Sequence, residues 1–465
     1  MKFLLTLLLL IPVITASDEH KSKETHEDAE GGKKAQALKE AVKGNTEFAF
    51  NFFKHLASVS SQGKDSPPKN IVFSPFSISS AFSMLLLGAQ SKTHQEILEG
   101  LSLNNTNSTE SELHQAYSTL LHLLNEPKSS LQVDISNTLF VQQTLTLLKS
   151  FEDDSKNLYH AEIRKTNFND PQEATKEVNE YVKNKNEGKI KELVKEFPAD
   201  TKLALVNYVL FKGEWQDPFN AAFTSTQKFK VDKNTTVDVP MMRRTGQYNI
   251  YRDTKLPCTV VELPYKDNAS MIIAMADPGK IHEVEQGLSA ETIQRWRTSW
   301  SKTTIELSVP KFIITSKINL VDELPKVGIR TPFTDEANFS GITPDIRPKV
   351  GSKPTALNWI APKSLGRQSG TGHSNTQGGY LHRDRRSSRD GLQHRLYRSI
   401  QSGGIQAVHQ AVIRVDEGGT EAAAATGVGK DTVPIRLAFN RPFFISINLQ
   451  GSIIFMGKIN NPTEK

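Results

Sequence analysis

Apolar and polar positions change their rhythm twice along this chain. From Phe48, Phe52, Phe53 and Leu56 to Leu113–Leu124, apolar residues recur at helical spacing, with Glu96–Leu101 as a further amphipathic turn. Between them, Asn70-IVFSP reads as a short strand ended by Pro75, and Ser77-ISSAFSMLLLGA as a buried helix. Val133–Val141 is strand-like, and Glu173–Val194 is a charged helical stretch with Val178, Tyr181 and Val182 on one face. At Leu203 the texture turns to strands. LALVNYVLF is a continuous apolar run, the pattern of a strand covered on both faces. Thr226–Val239, Thr259–Leu263, Met271–Met275, Ile305–Val309, Leu437–Leu449 and Ile453–Ile459 read as further strands. Helices first and many strands later predict an α+β protein with a large mixed sheet, not alternating βα units.

Three segments break the pattern. Residues 1–16, MKFLLTLLLLIPVITA, carry one Lys, an apolar run and a final small residue, which predicts a secretory signal peptide. Residues 17–39 read as a flexible polar leader. Residues 344–406, with a core at 354–406, form a basic insert rich in Gly, Ser, Arg and His, expected to be disordered from Gly351 to Gly404. The rest, 40–465, reads as one domain.

Charge then matters less than it first suggests. The net charge is +6, but the insert holds eleven Lys/Arg and three acids. Without it, 46 basic residues face 48 acidic ones. The sequence therefore predicts no nucleic-acid partner and no membrane association. Cys258 is the only cysteine, so no internal disulfide can form; it reads as a small buried hydrophobe. Five sequons, at Asn104, Asn107, Asn234, Asn268 and Asn338, suit an exported glycoprotein. Catalytic machinery is absent: there is no GxSxG elbow, no phosphate-binding loop and no HExxH. The twelve histidines show no metal-ligand spacing, so neither metal nor cofactor is expected.

At Asp416-EGGTEAAAATGVG a glycine pair precedes Thr420, Glu421 and four alanines, Ala422–Ala425. This tract resembles the reactive-loop hinge of inhibitory serpins. Asn70-IVFSPFSIS, NYVLFKGEW from Asn207 to Trp215, Asp238-VPMM, Ala407-VHQAV, Phe439-NRPFF and Phe455-MGKINNP are similar to serpin blocks and stand in serpin order. The resemblance covers about 40–343 and 407–465 and is nearest to the antitrypsin-like clade. It implies the serpin fold: three β-sheets, about nine helices and an exposed reactive-centre loop at 417–436.

The function it implies is that of a secreted, extracellular serine-protease inhibitor, monomeric and not an enzyme. A target protease would cleave the loop and form a covalent acyl-enzyme, and the freed hinge would insert into the central sheet. The hinge comprises Glu417, Gly418, Gly419, Thr420, Glu421, Ala422, Ala423, Ala424, Ala425 and Thr426. If Thr420 points inward, the period of two also sends Ala422, Ala424 and Thr426 inward. All are small, so a packed core can admit them without the ~1–3 kcal/mol that overpacking costs.

Ser74, Ser77, Asn207 and His409 match the polar shutter below the sheet opening. Trp215, Lys311 and Glu417 match the breach at its top. Counting from either side of the loop puts the scissile residue at Val433 or Asp431, with Thr432, Lys430 and Arg436 as further candidates. Pro434 follows Val433, and a proline just after a scissile bond opposes serine proteases. A non-inhibitory carrier or chaperone, and an inactive product caused by the insert, are the competing readings. The insert itself reads either as a translated intron or as a genuine arm.

Overall fold

The computed structural model describes residues 26–60, 69–126, 128–185, 192–348, 404–419 and 434–464. Among the described residues there are nine α-helices: α1 (His26–Ser60), α2 (Pro75–Leu86), α3 (Ser91–Gly100), α4 (Glu110–Asn125), α5 (Lys149–Tyr159), α6 (Pro171–Lys185), α7 (Ile281–Gly287), α8 (Ala290–Thr298) and α9 (Leu320–Glu323). The strands are β1 (Ile71–Phe73), β2 (Leu131–Gln142), β3 (Glu162–Thr166), β4 (Leu203–Gly213), β5 (Ser225–Lys230), β6 (Thr236–Asp253), β7 (Cys258–Pro264), β8 (Ala269–Ala276), β9 (Ser301–Pro310), β10 (Phe312–Asn319), β11 (Ile405–Val415), β12 (Ile435–Ala438), β13 (Phe443–Leu449) and β14 (Ser452–Ile459).

A five-stranded sheet runs β10-β11-β4-β2-β3. The other nine strands form one network, β1-β14-β13-β8-β7-β6-β9-β12, with β5 on β6. The three expected sheets are thus one separate sheet and two arcs fused along β6. That strand is 18 residues long. Its first residues, to Met241, pair with β5, Met241–Ile250 pair with β9, and Asn249–Asp253 pair with β7.

The helix that buries its whole surface is α2. Ser74 caps it, its hydroxyl accepting from the Ser77 N–H, and Pro75 takes the first turn, where no N–H is needed. All twelve of its residues are buried. The main core lies between this helix, α1 and the sheets; a second apolar cluster lies under α6 on the opposite face of the five-stranded sheet. With α2 on one side and α6 on the other, β4 is covered on both faces, as its unbroken apolar run predicts.

Several boundaries differ from the sequence reading. The polar stretch 17–39 does not stay flexible throughout, because α1 begins at His26. Its Ala, Lys, Gln and Glu residues are good helix formers, Glu30 pairs with Lys34 one turn on, and Ala37 is buried. Thr226–Val239 is a hairpin, not one strand: the Asp232 carboxylate accepts from the N–H groups of Asn234 and Thr235 and turns the chain. Leu437–Leu449 is likewise split at Pro442, between β12 and β13. The signal peptide and the stretch expected to be disordered lie outside the described residues, Gly404 apart.

Candidate functional site

The five-stranded sheet carries a seam between β4 and β11. These strands are parallel and pair from Ile405↔Leu203 to Val412↔Leu210. Beyond that point each strand continues with a different neighbour. Ile413–Val415 stay on β10, and Phe211–Gly213 stay on β2. The seam is therefore unzipped at one end.

Asn137 on β2, Asn207 on β4 and His409 on β11 are register partners across the closed part of the seam. They face the N-terminus of α2. The Ser74 N–H donates to His409 Nε2 at 3.1 Å, so the imidazole proton sits on Nδ1, which donates to Asn207 Oδ1 at 2.5 Å. The Ser77 hydroxyl donates to the same oxygen at 2.8 Å. Asn207 Nδ2 donates to Asn137 Oδ1 at 2.7 Å and to the Ser77 carbonyl at 3.1 Å. Ser74, Ser77, Asn207 and His409 are wholly buried. Burial alone pushes the His409 pKa down to about 3, so the ring is neutral and its two nitrogens keep opposite roles. The four shutter residues expected from the sequence thus form one network. Asn137 and Ser80, whose hydroxyl donates to the Ser77 carbonyl, were not foreseen. Asn137 left a faint signal, an amide inside a run of strand-like residues.

The unzipped end is closed by a turn instead of a strand. After Val415 the chain folds back over Asp416–Gly419, with reciprocal backbone hydrogen bonds between Asp416 and Gly419. Gly419 has φ +114°, and a Cβ there would lie 2.3 Å from the Gly213 carbonyl oxygen. Only glycine fits. The Trp215 N–H donates to the Gly418 carbonyl at 3.0 Å, and its indole N–H donates to the Asp416 carbonyl at 2.9 Å. The indole lies flat on Tyr265, ring centres 4.2 Å apart. Lys311 Nζ donates to Glu417 Oε2 at 2.7 Å, and the Thr224 hydroxyl donates to Glu417 Oε1 at 2.8 Å. Burial opposes ionisation of Glu417, but the Lys311 and Thr224 hydrogen bonds hold its carboxyl below the ordinary value. Trp215 and Lys311 are therefore both fastened to the Asp416–Gly419 turn, Lys311 through Glu417.

The hinge from Thr420 to Thr426, with Glu421 and Ala422–Ala425, lies outside the described residues, as do Lys430, Asp431, Thr432 and Val433. Arg436 is described. It pairs with Glu306 within the β12–β9 ladder, and its Nε reaches the Glu306 carboxylate at 3.2 Å. A peptide bond held in a ladder is poorly presented to a protease, so Arg436 is the weakest scissile candidate. Asn104, Asn107, Asn234 and Asn268 are exposed. Asn338 is half-buried and its side-chain oxygen accepts from the Ser340 N–H. Cys258 is buried, and burial raises its thiol pKa to about 12. An open cleft of about 440 Å³ lies apart from the seam, between α1, α8 and the β13–β14 hairpin.

A family model described as Serpin (serine protease inhibitor) matches residues 43–364 and 394–462. Serpin A3-6 of Bos taurus is 40% identical over 425 residues, covering 90% of this chain and 88% of the relative. Serine protease inhibitor A6 of Xenopus laevis is 37% identical over 436 residues, covering 93% and 86%. Among solved structures, human glycosylated kallistatin aligns at 33% identity with a TM-score of 0.73, covering 92% of this chain and all of that one. Human thyroxine-binding globulin aligns at 31% identity with the same TM-score and coverage.

Proposed function

This chain belongs to the serpin family, and from that premise we propose that it is a secreted, monomeric inhibitor of serine-type endopeptidases that acts once, as a suicide substrate. The observation that carries this reading is the β4–β11 seam, unzipped at the end where the hinge departs. The protease serine attacks a carbonyl in 430–433, the peptide nitrogen leaves as a new N-terminus, and an ester remains. Thr420–Thr426 then enters the seam. A strand leaving Gly419 runs antiparallel to both β4 and β11, so one parallel pairing is replaced by two antiparallel ones, the more stable kind per residue. The His409–Asn207 pair must part, and the Lys311–Glu417 contact must give way at the top. The ester is carried off with the strand before water can hydrolyse it.

Export fits the sequons, four of which are exposed, and we propose glycans there. Among the described residues no helix is long and apolar enough to cross a membrane. A second reading, a carrier for a small ligand, is favoured by the α1–α8 cleft, lined by Val42, Thr46, Ile293, Arg297, Asn448 and Ile453, together with the likeness to thyroxine-binding globulin.

The test is incubation of the secreted protein with elastase-like, trypsin-like and chymotrypsin-like proteases. The expected product is a complex that survives SDS. Ala424→Arg, which would force a charge into the core, should convert trapping into plain cleavage. Clean cleavage of the unmodified protein by every protease, with no complex, would retire the inhibitory reading.

A further inference from the structure

The turn at Asp416–Gly419 is held by a neighbouring stretch of chain. Residues 214–224 lead from β4 to β5 and form a bracket against it. The Trp215 N–H and indole take the Gly418 and Asp416 carbonyls. The Phe219 N–H donates to the Glu417 carbonyl at 2.8 Å, and the Thr224 hydroxyl donates to the Glu417 carboxylate. Gly419 cannot leave the Gly213–Trp215 backbone while these bonds stand. What fastens the bracket therefore also fastens the turn.

The start of the bracket is stapled to the β7–β8 hairpin. The Gln216 N–H donates to the Pro264 carbonyl at 2.9 Å, the Lys266 N–H donates to the Glu214 carbonyl at 2.9 Å, and Lys266 Nζ donates to the Glu214 carboxylate at 2.6 Å. Its middle is held differently. There Asp217 meets Arg244 of β6, with Nη2 3.1 Å from Oδ2. Because β6 belongs to the nine-stranded network, this contact ties the exit of the five-stranded sheet to the other sheet system.

Arg244 is set in place before Asp217 reaches it. The period of two puts Arg244, Gly246 and Tyr248 on one face of β6. Along that face Nη1 donates to the Tyr248 hydroxyl at 3.0 Å, and the guanidinium carbon lies 5.2 Å from the ring centre. A Cβ at Gly246 would lie 2.9 Å from Nη2, so only the bare glycine leaves the guanidinium its seat. The Arg244 side chain is 21% exposed and that of Asp217 is 53% exposed. An exposed pair loses much of its gain to the entropy of holding two long side chains. Here Tyr248 and Gly246 already hold the longer one.

We propose that Arg244 is a positioning residue: through Asp217 it latches the 214–224 bracket to β6, and so sets how readily the Asp416–Gly419 turn lets go of the seam. The importance of that release for trapping rests on the inhibitory reading; the latch itself does not. The test is a double-mutant cycle on the full-length protein, with Arg244→Gln, Asp217→Asn and the two combined.

Amide hydrogen exchange is followed in intact protein at 214–220 and 416–419, with β13 and β14 as an internal reference. Each single variant should exchange roughly threefold faster at both segments, the scale of a partly exposed ion pair. The double variant should exchange no faster than either, because one latch opens only once. Raising the ionic strength from about 0.05 to about 0.5 M should quicken the unmodified protein more than any variant. With a protease that the unmodified protein traps, the ratio of trapped to merely cleaved inhibitor should rise in all three variants. Unchanged exchange in the single variants, additive effects in the double, or equal quickening in β13 and β14 overturns the latch. Faster exchange with an unchanged trapping ratio overturns its part in release. If exchange quickens as expected but the unmodified protein traps no protease, the latch stands and the inhibitory reading falls.

Discussion

His409 shows how one side chain can tie seam integrity to pH. In the unfolded chain its imidazole titrates near 6.5; in the intact fold it resists protonation until about pH 3. The folded value is depressed, so its contribution is fully present above about 6.5 and is lost as pH falls toward 3. A protonated ring could not accept from the Ser74 N–H, and its charge would be buried without a counter-ion. The unfolding midpoint should therefore fall as pH drops from 7 to 5, a range above most carboxylate titrations. In His409→Gln that slope should flatten, whatever the variant's overall stability. Equal slopes in thermal scans of the two proteins would contradict this assignment. At this scale the sequence was legible only where order along the chain sufficed. Ser74, Ser77, Asn207 and His409 stand in serpin blocks. Asn137 joins them through strand register, and register between β2 and β4 is not written in either strand's own pattern.

Among the elements, the turn at Asp416–Gly419 decides whether β11 ends or continues into the seam. Its conformation depends on Gly419. In Gly419→Ala a methyl group would meet the Gly213 carbonyl, and an L side chain would be forced to φ +114°. The intact protein should lose about 1–3 kcal/mol, read as a lower denaturant midpoint with an unchanged slope. An unaltered midpoint would mean that the turn relaxes freely. Elements were legible where periodicity ran uninterrupted, as in α2 and β4. They were misjudged where a break was made by a few polar atoms. Asp232 folds Thr226–Val239 into a hairpin while the alternation of side chains carries on through it. The leader was misread for a related reason. Its charge suggested solvent, but Ala and Glu with Lys at helical spacing can continue a helix whose far end is anchored in the core.

At the scale of the whole molecule, the inhibitory reading turns on one pairing. β4 and β11 are parallel in the middle of a five-stranded sheet, and the chain that could separate them is tethered at Gly419. Cleavage within 430–433 should raise the unfolding midpoint by about 10 °C or more, as a sixth strand adds two ladders and buries more surface. Calorimetry of intact and nicked protein measures this, and a nicked form that melts no higher would favour the carrier reading. The α+β class was legible in the sequence, because helical and strand-like textures occupy separate stretches. The fusion of two sheet arcs along β6 was not, since it depends on three partners sharing one long strand. That fused network has a further consequence. A cut before Pro434 severs a tail of 32 residues, yet β13 and β14 within it are buried at every position. The tail cannot depart without dismantling the network, so a spent molecule remains a two-chain particle with one native mass. Its short chain will stay hidden from antibodies raised against the free peptide until detergent or denaturant releases it.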